Sequence, residues 1–361
     1  MDFDLPADDD PRRLAVRQWL ADHPEPTARQ LHDAGYVVPH WPAPYGIDAG
    51  PMHQILIDEE LRRNGVRRPE NPIGIGWAAP TIALAGTEEQ KARYLDRIFT
   101  GEEFWCQMFS ETEAGSDLAN LGTRAVRDGD EYKITGQKTF ISNGQLADIV
   151  VTACKTDIEA GAKGISLILL RRGDPGFDRG RNLEKVGWKA QDTSELFFDE
   201  VQIPAERLLG EENKGFSYLV EELAQERLIV AVRAAATIEA ALDATVEYTK
   251  QREAFGKPLF SFQNTRFKLA EVKTKSTVVR NFIDRLLALH LDGELTADDA
   301  AMAKLYSTET MCEILDDCLQ MFGGYGYMWE YPIAKAWAGQ RVSRIAGGSS
   351  EIMKEIISRT L

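Results

Sequence analysis

The 361-residue chain holds only four cysteines, Cys106, Cys154, Cys312 and Cys318, and none forms a CxxC pair. Four of its five histidines fall within the first 53 residues, with no His/Cys cluster at zinc spacing. A structural or catalytic metal site is therefore not expected, and reduced thiols in an intracellular compartment are the plain reading. Basic residues are also scarce, 42 against 57 acidic ones, for a formal net charge of −15. Such a balance disfavours nucleic acid and anionic membranes as general partners, and a polyanionic ligand would need a local basic patch. No apolar run approaches the ~20 residues that span a bilayer. The start, Met1-Asp2-Phe3-Asp4-Leu5, is acidic and lacks the basic-then-apolar layout of a leader. The expectation is a cytoplasmic, soluble protein.

What is present is an ordinary globular composition, 43% hydrophobic and 27% charged, at a length that suits two or three domains. The pattern changes twice, and predicts an α+β chain of three parts. Residues 1–102 form an N-terminal helical domain, with periodic segments at 11–21, 52–64 and 87–99 and a capping box at Thr87–Gln90. Residues 103–212 form a middle β domain, with strand-like runs at 132–135, 149–153, 165–170 and 195–198. Short strands with no helices between them predict an antiparallel barrel or sandwich. Residues 213–361 form a C-terminal four-helix bundle, with segments at 213–250, 263–291, 296–322 and 349–359. Thr296 with Asp299 marks one start there, and Gly323-Gly324 one stop.

Several stretches have residue types suited to chemistry. On a helical wheel Phe216, Leu219, Leu223 and Val230 share a face, with Glu226 and Arg227 within or beside it and Glu221 and Glu222 pointing away. A carboxylate against an apolar surface is a raised-pKa base; equally, the pair is a boundary whose stems cover the core. In Ser110-Glu111-Thr112-Glu113-Ala114-Gly115-Ser116-Asp117, free amides and hydroxyls suit a phosphate oxygen, though an acidic surface loop explains it too. Phe140 and Ser142 fall on one side of a strand, an aromatic and a hydroxyl able to meet a flat ring, or a core aromatic in a plain strand. Arg252 and Phe255 close one long helix, as a pyrophosphate and adenine contact or as an answer to the helix dipole. Gln320-Met321-Phe322-Gly323-Gly324-Tyr325-Gly326 closes another, where a plain C-cap also accounts for Gly323.

Together, Phe109–Leu118, Gly136–Gly144, Arg252–Gly256, Gln320–Gly326 and Gly347–Glu351 resemble the acyl-CoA dehydrogenase family, in one collinear order from about residue 35 to 361. The resemblance implies FAD as cofactor. Ser110, Ser116, Phe140 and Ser142 would contact it, Ser349 and Glu351 would complete its adenosine diphosphate side, and Arg252, Phe255, Gln320 and Gly324 would reach the FAD of a neighbouring subunit. A homodimer or homotetramer follows. The usual catalytic glutamate of the family is Gly347 here. Long-chain and isovaleryl types place that base on the helix before an arginine, which is Glu226 before Arg227 in this sequence. Lys185–Phe198 and Met328–Lys335 also look most like the long-chain type.

The implied activity is flavoprotein α,β-desaturation of an acyl-CoA in fatty acid metabolism or lipid degradation. Glu226 would take the α-proton, the Gly347 amide would hold the thioester carbonyl, Arg227 and Ser116 would meet substrate, and electrons would pass to an electron-transfer flavoprotein. Phe140 and Ser142 stand where Trp and Thr are commoner, which affects flavin tuning. Two alternatives remain open: a subunit of a hetero-oligomeric dehydrogenase for bulky, sterol-derived thioesters, and a flavin oxidase of the same fold.

Overall fold

The computed structural model describes residues 6–361; Met1–Leu5, on which the expectation of no leader rests, lies outside the described residues. The described chain forms two compact units, one comprising residues up to Leu183 with Asp192–Leu219, the other Glu184–Gln191 with Val220–Leu361.

The first unit opens with helices α1 (Pro11–Asp22), α2 (Ala28–Asp33), α3 (Pro51–Arg63), α4 (Ala79–Ala85) and α5 (Glu88–Thr100). The expected segments are α1, α3 and α5; α2 and α4 are too short to show a period. Thr87 and Gln90 form the expected capping box, and Gly101 stops α5 in the left-handed region, at φ 71°. The strands that follow are β1 (Trp105–Met108), β2 (Arg124–Asp128), β3 (Glu131–Ser142), β4 (Ile149–Lys155), β5 (Ile165–Arg171), β6 (Phe177–Asn182), β7 (Thr193–Pro204) and β8 (Leu208–Leu209).

The sheet corrects the antiparallel barrel or sandwich expectation in one respect: it is mixed and does not close. Its order is β6-β7-β3-β2-β4-β5-β8. Both β1 and β2 run parallel to β4 along one edge, β1 against Ile149–Thr152 and Arg124 of β2 against Lys155. Strand-like runs alone carry no information about such long-range pairing, and the four runs read from the sequence fall within β3, β4, β5 and β7 only. Every residue of β4 is buried. Ile149, Val151 and Ala153 pack towards the helices with Leu95, Ile98, Phe99 and Trp105, while Val150 and Cys154 pack with Ile134, Leu196 and Phe198. Burial on both faces explains why β4 and β5 read as largely apolar runs, broken by Thr152 and Ser166, instead of alternating ones.

The helices of this unit are tied by a buried ionic hub. Glu60, 2% exposed, accepts from Arg13 at 2.7 Å, Arg17 at 2.9 Å and Arg63 at 2.9 Å. Burial alone would raise its carboxyl, but hydrogen bonds from Arg17 and Arg13 hold it below the ordinary value. Arg13, 3% exposed, would be left with one carboxylate fewer if Glu60 were neutralised. We therefore expect Glu60→Gln to destabilise the fold by about 3 kcal/mol, the low end for breaking a buried pair, measured by urea unfolding.

The second unit is helical: most of α6 (Gly215–Gln251), then α7 (Gln263–Leu291), α8 (Ala297–Met321), α9 (Pro332–Gln340) and α10 (Ser350–Ser358). Thr296 and Asp299 form the expected capping box on α8, which ends at Phe322 before Gly323 at φ 59°. Leu228, Ala231, Ala235 and Ile238 of α6 share a core with Val272, Val279 and Ile283 of α7 and Met311, Ile314 and Leu315 of α8. The segment Glu184–Gln191 packs on α9 so closely that a Cβ on Gly187 would lie 2.4 Å from the Ala338 carbonyl oxygen.

Candidate active site

α6 runs for 37 residues, alanine-rich and free of proline, and so carries a regular register past its functional residues. At the margin of its buried stripe Glu226 is half-buried and Arg227 buried, 7% exposed. The wheel is right about Glu221, which is exposed, and wrong about Glu222, which is half-buried. Burial, with Glu221 adding, pushes the Glu222 carboxyl up. Burial lowers the Arg227 guanidinium below its ordinary value, opposed by the charge of Glu226 beside it.

The turn after α9 comes to this helix. Arg227 Nε donates a long hydrogen bond, 3.5 Å, to the carbonyl oxygen of Gly347, 120 residues away. The two stretches that the sequence singles out are thus neighbours within the second unit. Gly347 and Gly348 are both left-handed, at φ 70° and 96°. A Cβ on Gly348 would meet Met353 Cε at 2.6 Å, whereas one on Gly347 would meet nothing within 4 Å. Position 347 therefore opens on free space where a larger residue would project. Ser349 caps α10 through its hydroxyl, which accepts from Ile352 N at 3.3 Å, and Glu351 is exposed in the first turn. Hence the hydroxyl of Ser349, expected at a cofactor, also has a structural duty.

Sequence reasoning missed two residues here. Lys304 on α8 is fully buried, and its Nζ donates to the Gly348 carbonyl at 2.5 Å. Glu309 accepts from Arg344 at 2.6 Å and from the Ser350 hydroxyl, fastening both sides of the turn. The signal was present: Ala300, Ala301, Ala303, Lys304, Ser307, Thr308 and Met311 form one buried face, and a lysine there needs a partner.

Elsewhere in the second unit, the helix ends that carry Arg252, Phe255, Gln320 and Gly324 meet. The Arg252 guanidinium lies over Tyr325, 5.7 Å from its ring centre, and Tyr248 stacks on Phe322 at 4.1 Å. Phe255 and Gly256, at φ 53° and 76°, form the two-residue tip between Glu253–Ala254 and Lys257–Pro258. A phenylalanine held left-handed and 95% exposed is costly in conformation and in hydration. Gln320, Gly323 and Gly324 are exposed.

The first unit presents Ser110, Ser116, Phe140 and Ser142. A bulge between Lys138 and Ile141 breaks the pairing of β3 with β7 and leaves Phe140 left-handed, at φ 60°, with its ring 69% exposed. Ile141 is buried and Ser142 half-buried, so Phe140 and Ser142 do lie on the open side. Thr139 N donates to Ser110 O at 2.9 Å, tying this strand to the loop before Ser116. Beneath lies a second pair that sequence reasoning missed. Lys138, fully buried, donates to Glu111 at 2.7 Å and to the Phe109 carbonyl at 3.0 Å, while Glu111 accepts from the Gly122 and Thr123 amides. Burial opposes charge on Glu111, but Lys138 holds its carboxyl below the ordinary value. An exposed aromatic on a strained backbone, hydroxyls and an open Gly115 fit a flat dinucleotide such as FAD. Among the described residues no group of three or more His, Cys, Asp or Glu is placed to hold a metal ion. Nor is any helix among them long and apolar enough to cross a membrane.

Comparison with known proteins places this fold. The N-terminal, middle and C-terminal domain models of acyl-CoA dehydrogenase match residues 11–102, 106–201 and 213–361. The chain belongs to the acyl-CoA dehydrogenase family, oxidoreductases acting on the CH–CH group of acyl-CoA. It is 46% identical over 318 residues to the mitochondrial long-chain specific acyl-CoA dehydrogenase of Sus scrofa, covering 88% of this chain and 74% of that one. It is 35% identical over 367 residues to the cyclohex-1-ene-1-carbonyl-CoA dehydrogenase of Geobacter metallireducens, covering 99% and 96%. The crystal structure of an acyl-CoA dehydrogenase from Geobacillus kaustophilus superposes with a TM-score of 0.83 at 42% identity, covering 96% of each chain.

Lys304 gives this site a pH signature. Burial, reinforced by Arg227 and Arg344 and opposed by Glu309 and Glu351, lowers its ammonium to about 8 from 10.5. Between those values the unfolded chain holds a proton that the folded chain releases, so this group makes stability rise with pH across that window. We expect the stability of the natural protein relative to Lys304→Met to climb between pH 8 and 10 by at most about 1.4 kcal/mol per pH unit. Urea unfolding of both proteins at pH 7, 8, 9 and 10 measures it.

Proposed function

We propose that this chain desaturates an acyl-CoA thioester between its α and β carbons, with Glu226 as the base. The observation that carries the reading is the contact of Arg227 with Gly347, which sets the carboxylate-bearing helix beside a glycine turn open to space. Glu226 stands half-buried beside the buried guanidinium of Arg227, a carboxylate of the type that serves as a general base. The Gly347 amide donates to the thioester oxygen, stabilising the charge that develops as the α-proton leaves. Arg227 balances that charge, and Ser116 meets substrate. FAD, when bound, supplies the acceptor for the β-hydride.

Ser110, Ser116, Phe140 and Ser142 hold that cofactor on one side, and Ser349 and Glu351 on its adenosine diphosphate side. Arg252, Phe255, Gln320 and Gly324 serve a second copy, so the working form is a homodimer or homotetramer. The three-part domain division at 102 and 212 belongs to the same reading. So do a cytoplasmic location and delivery of electrons to an electron-transfer flavoprotein. Similarity to long-chain enzymes supports a long acyl group.

Glu226→Gln should keep the fold and the yellow cofactor and lower kcat by about 10²–10⁴-fold, the usual contribution of a general base. Full activity in that variant overturns the assignment. Because a side chain at 347 meets nothing, Glu226→Gln with Gly347→Glu should recover part of the lost rate, at a conformational cost from φ 70°. Stopped-flow bleaching of the flavin band under nitrogen, with straight-chain, branched and sterol-side-chain acyl-CoAs, reads both variants and names the substrate class. A colourless purified chain would turn the reading towards a missing partner subunit, and stoichiometric peroxide towards an oxidase.

A further inference from the structure

We propose that Lys304 is a positioning residue: with Arg227 and Glu309 it clamps the Gly347–Gly348 turn so that the Gly347 amide stays aimed at the thioester oxygen. The inference rests on the dehydrogenation reading for its substrate, and on geometry for its mechanism.

Two consecutive glycines are the loosest dipeptide a chain can contain, and here both sit at positive φ. A donor that stabilises developing charge works only if its direction is fixed before the charge appears. The turn has no side chains of its own to fix it, so the anchoring comes from outside. Arg227, from α6, takes the Gly347 carbonyl, and Lys304, from α8, takes the Gly348 carbonyl at 2.5 Å. Glu309, five residues further along α8, holds Arg344 before the glycines and Ser350 after them. Among the described residues the Gly347 and Gly348 amides donate to nothing, so the carbonyls are tethered while the amides are left for a ligand.

The burial of Lys304 argues the same way. A fully buried ammonium close to another buried cation is an expensive arrangement for holding a helix to a turn. An uncharged, well-packed side chain would do that work at lower cost. A lysine brings a strong, directed donor to a carbonyl inside the protein, which an apolar residue cannot.

The test uses the FAD-loaded protein and separates the clamp from the reaction. In a Glu226→Gln background, which binds thioester without removing its proton, isotope-edited infrared spectra of a bound acyl-CoA labelled at the thioester carbon read how strongly that carbonyl is polarised. Adding Lys304→Met should return much of the red shift towards the free-thioester position, and Lys304→Gln, which keeps a donor, should return less. In the otherwise natural protein, Lys304→Met should lower kcat roughly 10- to 100-fold, part of what losing an oxyanion donor costs, with KM changed less than about 3-fold. An unchanged carbonyl band, or a kcat loss that Lys304→Gln does not partly restore, overturns the clamp. If Lys304→Met does not fold, Lys304→Gln and Arg227→Gln carry the same comparison. A red shift lost in Lys304→Met, in a protein whose natural form no acyl-CoA bleaches, would uphold the clamp and overturn the dehydrogenation reading instead.

Discussion

The arrangement at the candidate active site depends on holding a Gly-Gly turn still, and the protein does so with buried charge. Carbonyl oxygens accept strongly from cations, and a cation inside a protein donates more effectively than one in water because its surroundings screen it less. Arg227 and Lys304 exploit this at Gly347 and Gly348. The cost falls on Lys304: burial first, and the charge of Arg227 second, lower its ammonium to about 8. Glu309 and Glu351 offset part of that cost from α8 and from the start of α10.

The first unit solves a related problem in the same manner. Its loop from Phe109 to Asp117 contains an exposed Gly115 and Ser116 that pack on little, yet Glu111 in the middle of the loop is buried against Lys138. Lys138 bonds the loop backbone at Phe109, and Glu111 bonds the backbone at Gly122 and Thr123. One buried pair thus ties the start of the loop to the chain a few residues beyond its end, and Thr139 bonds Ser110 next to the strained Phe140. Because breaking one partner of such a pair leaves the other charged and alone, these loops are protected against drift by an energy of several kcal/mol.

Much of this was legible in the sequence, for identifiable reasons. The helices announce themselves by period and cap, as Thr87, Thr296 and Gly323 show, since both signals are local. Sheet order was not legible, because β1 and β2 meet β4 through pairings that no neighbouring residue encodes. The wheel misplaced Glu222 because it treats a helix as having one buried side, whereas α6 is covered unevenly along its length. Glu226 and Gly347 were found through resemblance, while Lys304 and Lys138 were passed over as ordinary charges. A lysine at a position whose helical or strand neighbours are all small or apolar is the pattern that would have exposed both.

On the proposed reading the base sits on a helix instead of the turn, and this changes what each element must do. At position 347 any side chain would start from a left-handed backbone and swing into open space, so its carboxylate would need holding by something else. On α6 the carboxylate of Glu226 starts from regular helical geometry, with Arg227 buried as its neighbour and Leu228 packed in the core behind it. The turn is then released from carrying a side chain and is left with a single task, presenting its amide. Glycine suits that task best because it admits the closest approach of a ligand to backbone. On that reading the open space at 347 is left to the acyl group, and the turn, with no side chain of its own, is held by the contacts to its carbonyls.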